Sequence, residues 1–337
     1  MEGVVCQIPR IWQTIAMDIR QLRYFVGIAD AGSMSAASIQ LHIAQPALSQ
    51  AIARLEDDIG AKLLIRTARG VELTPSGEAL KEKAILILRD MEQAREAALA
   101  EAGGPVRGSV TIGLPTTVAM ALTLPLLKGM SETYPSITLR LVESQSGHLL
   151  DWLLQGRIDI AVLFNVSADG QKDRGIDVEP LVMEELHFVS RPTEPLDGAQ
   201  DIAFADALDL PVLLPSREHA LRRLLDNHAA RLGRSWNVVA EVDALLHLKR
   251  AVAGGIAHTV LPKIALTEEL LVGELQTRRI VSPVLRRTVM LALSWAGRHS
   301  KARLAAHALI QDIVKSMIAS GAWQGAEVSA EQPVDSL

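Results

Sequence analysis

Cysteine is almost absent from this sequence: Cys6 is the single one in 337 residues. That excludes an internal disulfide framework and a zinc site built from thiolates. No uninterrupted apolar run nears the roughly 20 residues that cross a bilayer. The first residues, 1–17, lack a basic start followed by a continuous apolar stretch, so no secretory signal is expected either. Catalytic signatures are missing too. There is no Walker-type phosphate loop and no G-x-S-x-G elbow, and Gly103, Gly104 and Gly108 do not make a dinucleotide fingerprint. The nine histidines are scattered, and His219 with His228, or His299 with His307, lacks the i,i+4 spacing of a helical metal pair. The chain is therefore expected to be a cytoplasmic non-enzyme without cofactor, metal or membrane contact. A basic excess is also lacking: 34 Lys and Arg stand against 39 Asp and Glu, a net charge of −5. Taken whole, that balance argues against a nucleic-acid partner.

What is present is 49% apolar residues, enough for a substantial core, over a length that suggests two or three domains. Met17 reads as a fresh start, with residues 1–16 an upstream extension or a short disordered tail. Residues 17–75 read as three short helices and a hairpin. Leu22, Phe25, Val26 and Ala29 make the first apolar stripe, and Ser35 is placed to cap a second helix over 36–41. Pro46 suits the first turn of a third, whose Leu48, Ile52, Leu55 and Ile59 form a buried face ended by Gly60. Two short strands, 63–65 and 70–73, flank a basic turn. Thr74 and Pro75 then supply the cap and first turn of a long helix. Its Leu80, Ala84, Ile87, Met91, Ala94 and Ala98 step 4-3-4-3-4, a seam that favours a dimerising linker over 76–104. Beyond Gly108, strand-like and helical segments alternate in two α/β sets joined by extended crossovers, as in two parallel-sheet lobes with a cleft between them. Residues 320–337, rich in Ala, Gly, Glu, Gln and Ser, are expected to be a disordered tail.

The stretch from Leu22 to Leu80, with "FVGIADAGSMSAAS", "AQPALSQAIARLEDDIGAKLLIR" and "LTPSG" at their spacings, resembles the N-terminal domain of LysR-type transcriptional regulators. The α/β remainder resembles that family's effector-binding domain, so the resemblance covers about residues 17–318. The runs "HIAQPALSQ" and "LLIRTARGVELTPSG" particularly resemble the nitrogen assimilation control branch. The resemblance implies an all-α winged helix-turn-helix over 17–75. It also implies a two-lobed, periplasmic-binding-protein-like α/β domain over 105–319. Lobe one takes about 105–178 and 282–319, and lobe two about 179–281. A winged helix-turn-helix reads the major groove with the N-terminal turns of its second helix. Gln45, Pro46, Ser49 and Gln50 occupy those turns, Gln45 and Ser49 on one face. Glutamine matches adenine, and proline the thymine methyl. Arg54, Ser33 and Ser35 fit phosphate contacts, and Arg66 and Arg69 fit backbone or minor-groove contacts from the wing. For each of these the plain alternative is a solvated polar face.

In the sensor domain, three helix N-termini are expected to face the cleft and to favour an anion such as a carboxylate. They carry Thr116 and Thr117, then Ser144 and Ser146, then Ser216 and His219. Ser and Thr also cap helices without any ligand, so a regulator controlled only by its own abundance stays open, as does a solute-binding protein. Expected partners are double-stranded promoter DNA, a small effector, RNA polymerase, and further copies of the chain as dimer and tetramer. The charges agree once located: residues 17–75 are net neutral, the whole −5 lies in 76–337, and residues 59–71 carry a local +3.

Overall fold

The computed structural model describes residues 17–67, 70–101, 105–192, 200–295 and 300–328. The expected extension at 1–16 lies outside the described residues. The chain divides into two compact units at Arg95 and Glu96.

In the first unit, α1 (Ile19–Ala31) opens on a capping box: Asp18 accepts the Arg20 N–H at 2.7 Å, and Gln21 accepts that of Asp18 at 2.7 Å. Helix α2 (Met34–Leu41) starts two residues earlier than expected. Ser33, not Ser35, is its cap: Ser33 is extended (φ −154°, ψ 147°), and its hydroxyl accepts the Ala36 N–H at 3.0 Å. Helix α3 (Gln45–Ile59) has Pro46 in its first turn. Leu48, Ile52 and Leu55 are buried against Phe25, Ile28, Met34, Ala37 and Leu63. Ile59, expected in that face, is 40% exposed, because Glu56 takes the inward place in the last turn. The Glu56 carboxylate accepts the N–H groups of Leu63 and Leu64 (2.9 and 3.3 Å) and pairs with Lys62 at 2.5 Å. Burial pushes its pKa up, but Lys62 and the two N–H groups outweigh this and hold it below the usual carboxylate range. The hairpin β1 (Leu64–Thr67) and β2 (Gly70–Leu73) is antiparallel. Gly70, at φ +139°, lets the hairpin approach α1: a Cβ there would collide with the Gly32 carbonyl, to which Val71 donates at 2.8 Å. Helix α4 (Pro75–Glu101) is capped by Thr74, whose hydroxyl accepts the Gly77 N–H at 3.0 Å. Ala84 is buried, while Ile87 and Met91 stay 37% and 47% exposed.

The second unit runs β3 (Gly108–Leu114), α5 (Thr116–Thr133), β4 (Ile137–Glu143), α6 (Ser146–Leu154), β5 (Ile160–Phe164) and β6 (Ile176–Ser190). It continues with β7 (Asp201–Ala203), α7 (Phe204–Ala207), β8 (Pro211–Leu214), α8 (Ala220–Arg231), β9 (Asn237–Glu241), α9 (Leu245–Ala253) and β10 (Thr259–Pro262). The last elements are α10 (Thr267–Leu271), β11 (Gln276–Val281), β12 (Arg286–Ser294), α11 (Lys301–Ala319) and β13 (Ala326–Val328). Strands β4, β3 and β5 are parallel neighbours, and β12 joins β5 antiparallel. The crossover expected at 181–191 is the second half of β6. This 15-residue strand pairs with β12 through residues 176–185 and with β10 and β11 through 186–190. One strand thus serves both lobes, each with its own apolar core: Ile112, Leu122, Val162 and Ile310 are buried in lobe one, and Phe188, Phe204, Trp236 and Val260 in lobe two.

The expected disordered tail needs correction over 320–328. Trp323 is 2% exposed, its indole N–H donates to the Glu184 carboxylate at 2.8 Å, and β13 pairs antiparallel with β6. Average composition hid one large aromatic whose burial outweighs the cost of ordering a short polar segment. The rest of that tail, 329–337, lies outside the described residues.

Glu185 on β6 ties three strands together: Arg279 of β11 binds it through two bonds of 3.0 Å, and Arg286 of β12 adds a third at 3.0 Å. The Arg279 bonds chiefly lower its pKa from the usual 4.5 to about 2; burial, the next largest effect, opposes them, and Arg286 adds to the lowering. A depressed carboxylate stabilises the fold above its unfolded pKa and loses that contribution as pH falls through the folded one. Glu185→Gln should therefore lower urea stability at pH 7, and the deficit should shrink between about pH 4.5 and about pH 2. An equal deficit at both ends would reject the ionic origin.

Candidate functional site

Two surfaces gather the polar residues singled out by the sequence. The first is the start of α3. Gln45, Pro46, Gln50 and Arg54 are exposed, and Ser49 is half-buried on the same turns. The cap residue Ala44 makes no side-chain cap bond; its carbonyl accepts the Ala47 and Leu48 N–H groups at 2.9 and 3.2 Å, and Pro46 has no N–H to satisfy. Arg66 on β1 donates to the Ser49 hydroxyl at 3.0 Å, which brings the wing strand to the helix. Arg54 pairs with no acid among the described residues, and the nearby Glu56 is already occupied by Lys62. Ser33 is engaged as a cap, while Ser35 is exposed beside it. Arg69 lies outside the described residues.

The second surface is an open cleft of about 680 Å³ between the lobes, counting its mouth. Thr116, Thr117, Ser144, Ser146 and His219 line it, whereas Ser216 does not. The Ser216 N–H donates to Asp243 Oδ1 at 2.8 Å, and α8 begins only at Ala220, so residues 216–218 form a turn ahead of the helix. Most of the lining hydroxyls are already committed. Thr116 donates to Glu143 at 2.7 Å, and Ser146 accepts the Phe164 N–H at 3.0 Å. Ser144 lies 3.4 Å from the His148 ring. His219 caps α8 by accepting the Leu221 N–H on Nδ1 at 3.2 Å. Burial first, then the Arg287 charge, lowers the His219 pKa.

Arg287 is the residue that sequence reasoning missed. It is the second residue of β12, its side chain is 2% exposed, and it lines the cleft. Nε donates to Glu184 at 2.6 Å, Nη2 donates to the Thr117 hydroxyl at 2.9 Å, and the guanidinium lies 3.9 Å from the Phe164 ring centre. The available signal was its phase: positions 287, 289 and 291 share one strand face, and Val289 and Leu291 are core residues. An arginine at such a position must be paired. Its partner Glu184, 1% exposed, is completed by Trp323. No group of three or more metal-ligating side chains occurs among the described residues, and none of their helices is long and apolar enough to cross a membrane.

Both parts of the chain match known families. Residues 19–78 match the bacterial regulatory helix-turn-helix protein of the lysR family, and residues 103–315 match the LysR substrate binding domain. The nitrogen assimilation regulatory protein nac of Klebsiella aerogenes is 35% identical over 93% of this chain and 99% of its own. A probable hydrogen peroxide-inducible genes activator of Mycobacterium leprae is 31% identical over 90% of this chain and 94% of its own. Among solved structures, a full-length OxyR variant from Pseudomonas aeruginosa superposes with a TM-score of 0.70 at 24% identity, covering 94% of this chain and 99% of the other.

Breaking a buried ion pair from one side strands the remaining charge and costs about 3–5 kcal/mol. Glu184→Gln should destabilise the fold by that order in urea unfolding. Trp323→Phe, which keeps the ring but loses the bond to Glu184, should cost about 1–3 kcal/mol. No loss on Trp323→Phe would show that packing alone holds the segment.

Proposed function

The chain belongs to the LysR family of bacterial DNA-binding transcriptional regulators, and from that premise we propose how its own residues divide the work. The α3 N-terminus enters the major groove of promoter DNA, where Gln45, Pro46 and Ser49 meet base edges and Gln50 borders them. Arg54 holds phosphate, with Ser33 and Ser35 at the preceding turn, and Arg66 and Arg69 follow the backbone or minor groove from the wing. The observation that carries this reading is the exposed polar start of α3 flanked by two arginines, one of them bonded to Ser49.

Self-association goes through α4. Ile87 and Met91 are exposed, with Ala94 and Ala98 on the same seam, which suits a second copy of the helix. Because the reading domain is net neutral, binding by paired domains supplies affinity that one copy lacks. In the sensor, a small effector binds between the lobes, with an anionic group toward the N-termini of α5 and α6, and biases lobe closure. Contact with RNA polymerase and action in the cytoplasm complete this reading. A thiol-based response to peroxide does not suit the sensor, since residues 105–337 contain no cysteine.

Gel shifts over a salt series test the DNA face. Arg54→Ala should weaken binding on every sequence and flatten the log–log salt slope by about 0.9 per phosphate lost. Gln45→Ala should cost about 1–3 kcal/mol on the specific site only. An unchanged slope for the first, or uniform weakening for the second, would reject the assigned roles. Met91→Glu places a charge in the seam and should shift sedimentation toward monomer; an unmoved dimer would place the interface elsewhere.

A further inference from the structure

The charged side chains that line the cleft divide by lobe, Arg287 on one and Glu218 and Asp243 on the other, while Glu143 of lobe one stands just outside the lining and is held by Thr116. Lobe one presents the N-termini of α5 and α6, whose cap residues Pro115 and Gln145 make no side-chain cap bond. Between them lies Arg287. Two of its nitrogens are used by Glu184 and Thr117, and Nη1 makes no hydrogen bond among the described residues although the side chain lines the cleft. Glu184 balances the charge, so what remains is an oriented, pre-held donor in a buried setting.

Lobe two presents the opposite character. Its lining acids are Glu218 and Asp243, both exposed at the mouth. Hydrogen bonds from Ser216, the backbone N–H foremost, hold the Asp243 carboxyl below its usual range, so it is ionised at neutral pH. His219 does not offset these acids, because burial and Arg287 together favour its neutral form despite Asp243. Two donors of this lobe are already engaged: Asp243 takes the Ser216 N–H, and His219 takes that of Leu221. Asp243 also precedes the α9 cap residue, Ala244, and so places a negative charge at the start of that helix.

A dicarboxylate spanning the cleft would set its second charge against Glu218 and Asp243. A diamine would set one against Arg287 and two helix N-termini. We propose that the cleft takes a small dipolar ligand, an amino acid in the broad sense, with its carboxylate toward Arg287 and the α5 and α6 N-termini and its ammonium toward Asp243 and Glu218. Phe164, Leu245, Leu248 and Leu261 line the same cleft and accommodate the carbon chain. The proposal rests on the effector reading above and adds the ligand class. A ligand whose two charges are held by different lobes binds the closed form better than the open one, which is what a switch requires.

The experiment uses the full chain and matched series of about three to six carbons, ω-amino acids, dicarboxylates and diamines, together with the proteinogenic α-amino acids. Thermal shift and titration calorimetry are the readouts. At least one amino acid should raise Tm by about 2–4 °C at saturation, while the dicarboxylate and diamine of equal length do not. Asp243→Asn and Glu218→Gln, both at exposed positions, should together weaken that amino acid at least about tenfold and improve the matching dicarboxylate. Equal or tighter binding of a dicarboxylate or diamine, or an amino acid unmoved by the two substitutions, overturns the dipolar assignment and leaves the effector reading standing. No response in any series overturns both.

Discussion

A carboxylate sealed from water needs a cation and hydrogen bonds on all sides, and Glu184 meets that demand by drawing three distant parts of the chain together. It sits on β6, the strand shared by both lobes, receives Arg287 from β12 and Trp323 from the C-terminal segment, and through Arg287 reaches Thr117 at the start of α5. The sheet, the folded tail and the cleft wall therefore share one buried charge. Moving any of these elements would leave a polar group without a partner, and the cleft geometry is correspondingly well defined around Arg287. The neighbouring Glu185 does the same at the surface with Arg279 and Arg286, so adjacent residues of β6 hold the sheet from its two faces.

Where charges sit matters more than how many there are. The net −5 belongs to residues 76–337, while the reading domain is neutral with a basic wing. The same principle operates inside the sensor. Arg287 is electrically balanced by Glu184 and still lines the cleft, to which lobe two contributes the exposed acids Glu218 and Asp243. Two hydrophobic lobes with unlike polar walls make a site that discriminates by the separation of charge along a ligand.

Local features were legible because their causes are local. Thr74 and Pro75 start α4, Gly60 ends α3, and Leu48, Ile52 and Leu55 face inward, each dictated by a cap, a turn or a helical period. Errors arose where two residues competed for one role. Ser33 displaced Ser35 as a cap because its backbone was extended at the right point, and Glu56 displaced Ile59 because the N–H groups of Leu63 and Leu64 needed an acceptor. The hydroxyls assigned to the cleft fared unevenly for the same reason. Ser146 was taken by the Phe164 N–H, and Ser216 stayed outside the lining, its N–H held by Asp243.

The sequence by itself determined the two-part architecture, the reading helix with its polar first turn, and the seam of α4, since these follow from periodicity, capping and motif spacing along a continuous stretch. Only the tertiary structure decided that Arg287 belongs to the cleft, that Trp323 is a core residue, and that Asp243 holds the Ser216 N–H and lines the same cleft as Arg287. Those facts depend on partners separated by 27 to 170 residues. A buried charge takes its meaning from whatever the fold sets beside it, and no local pattern encodes that neighbour.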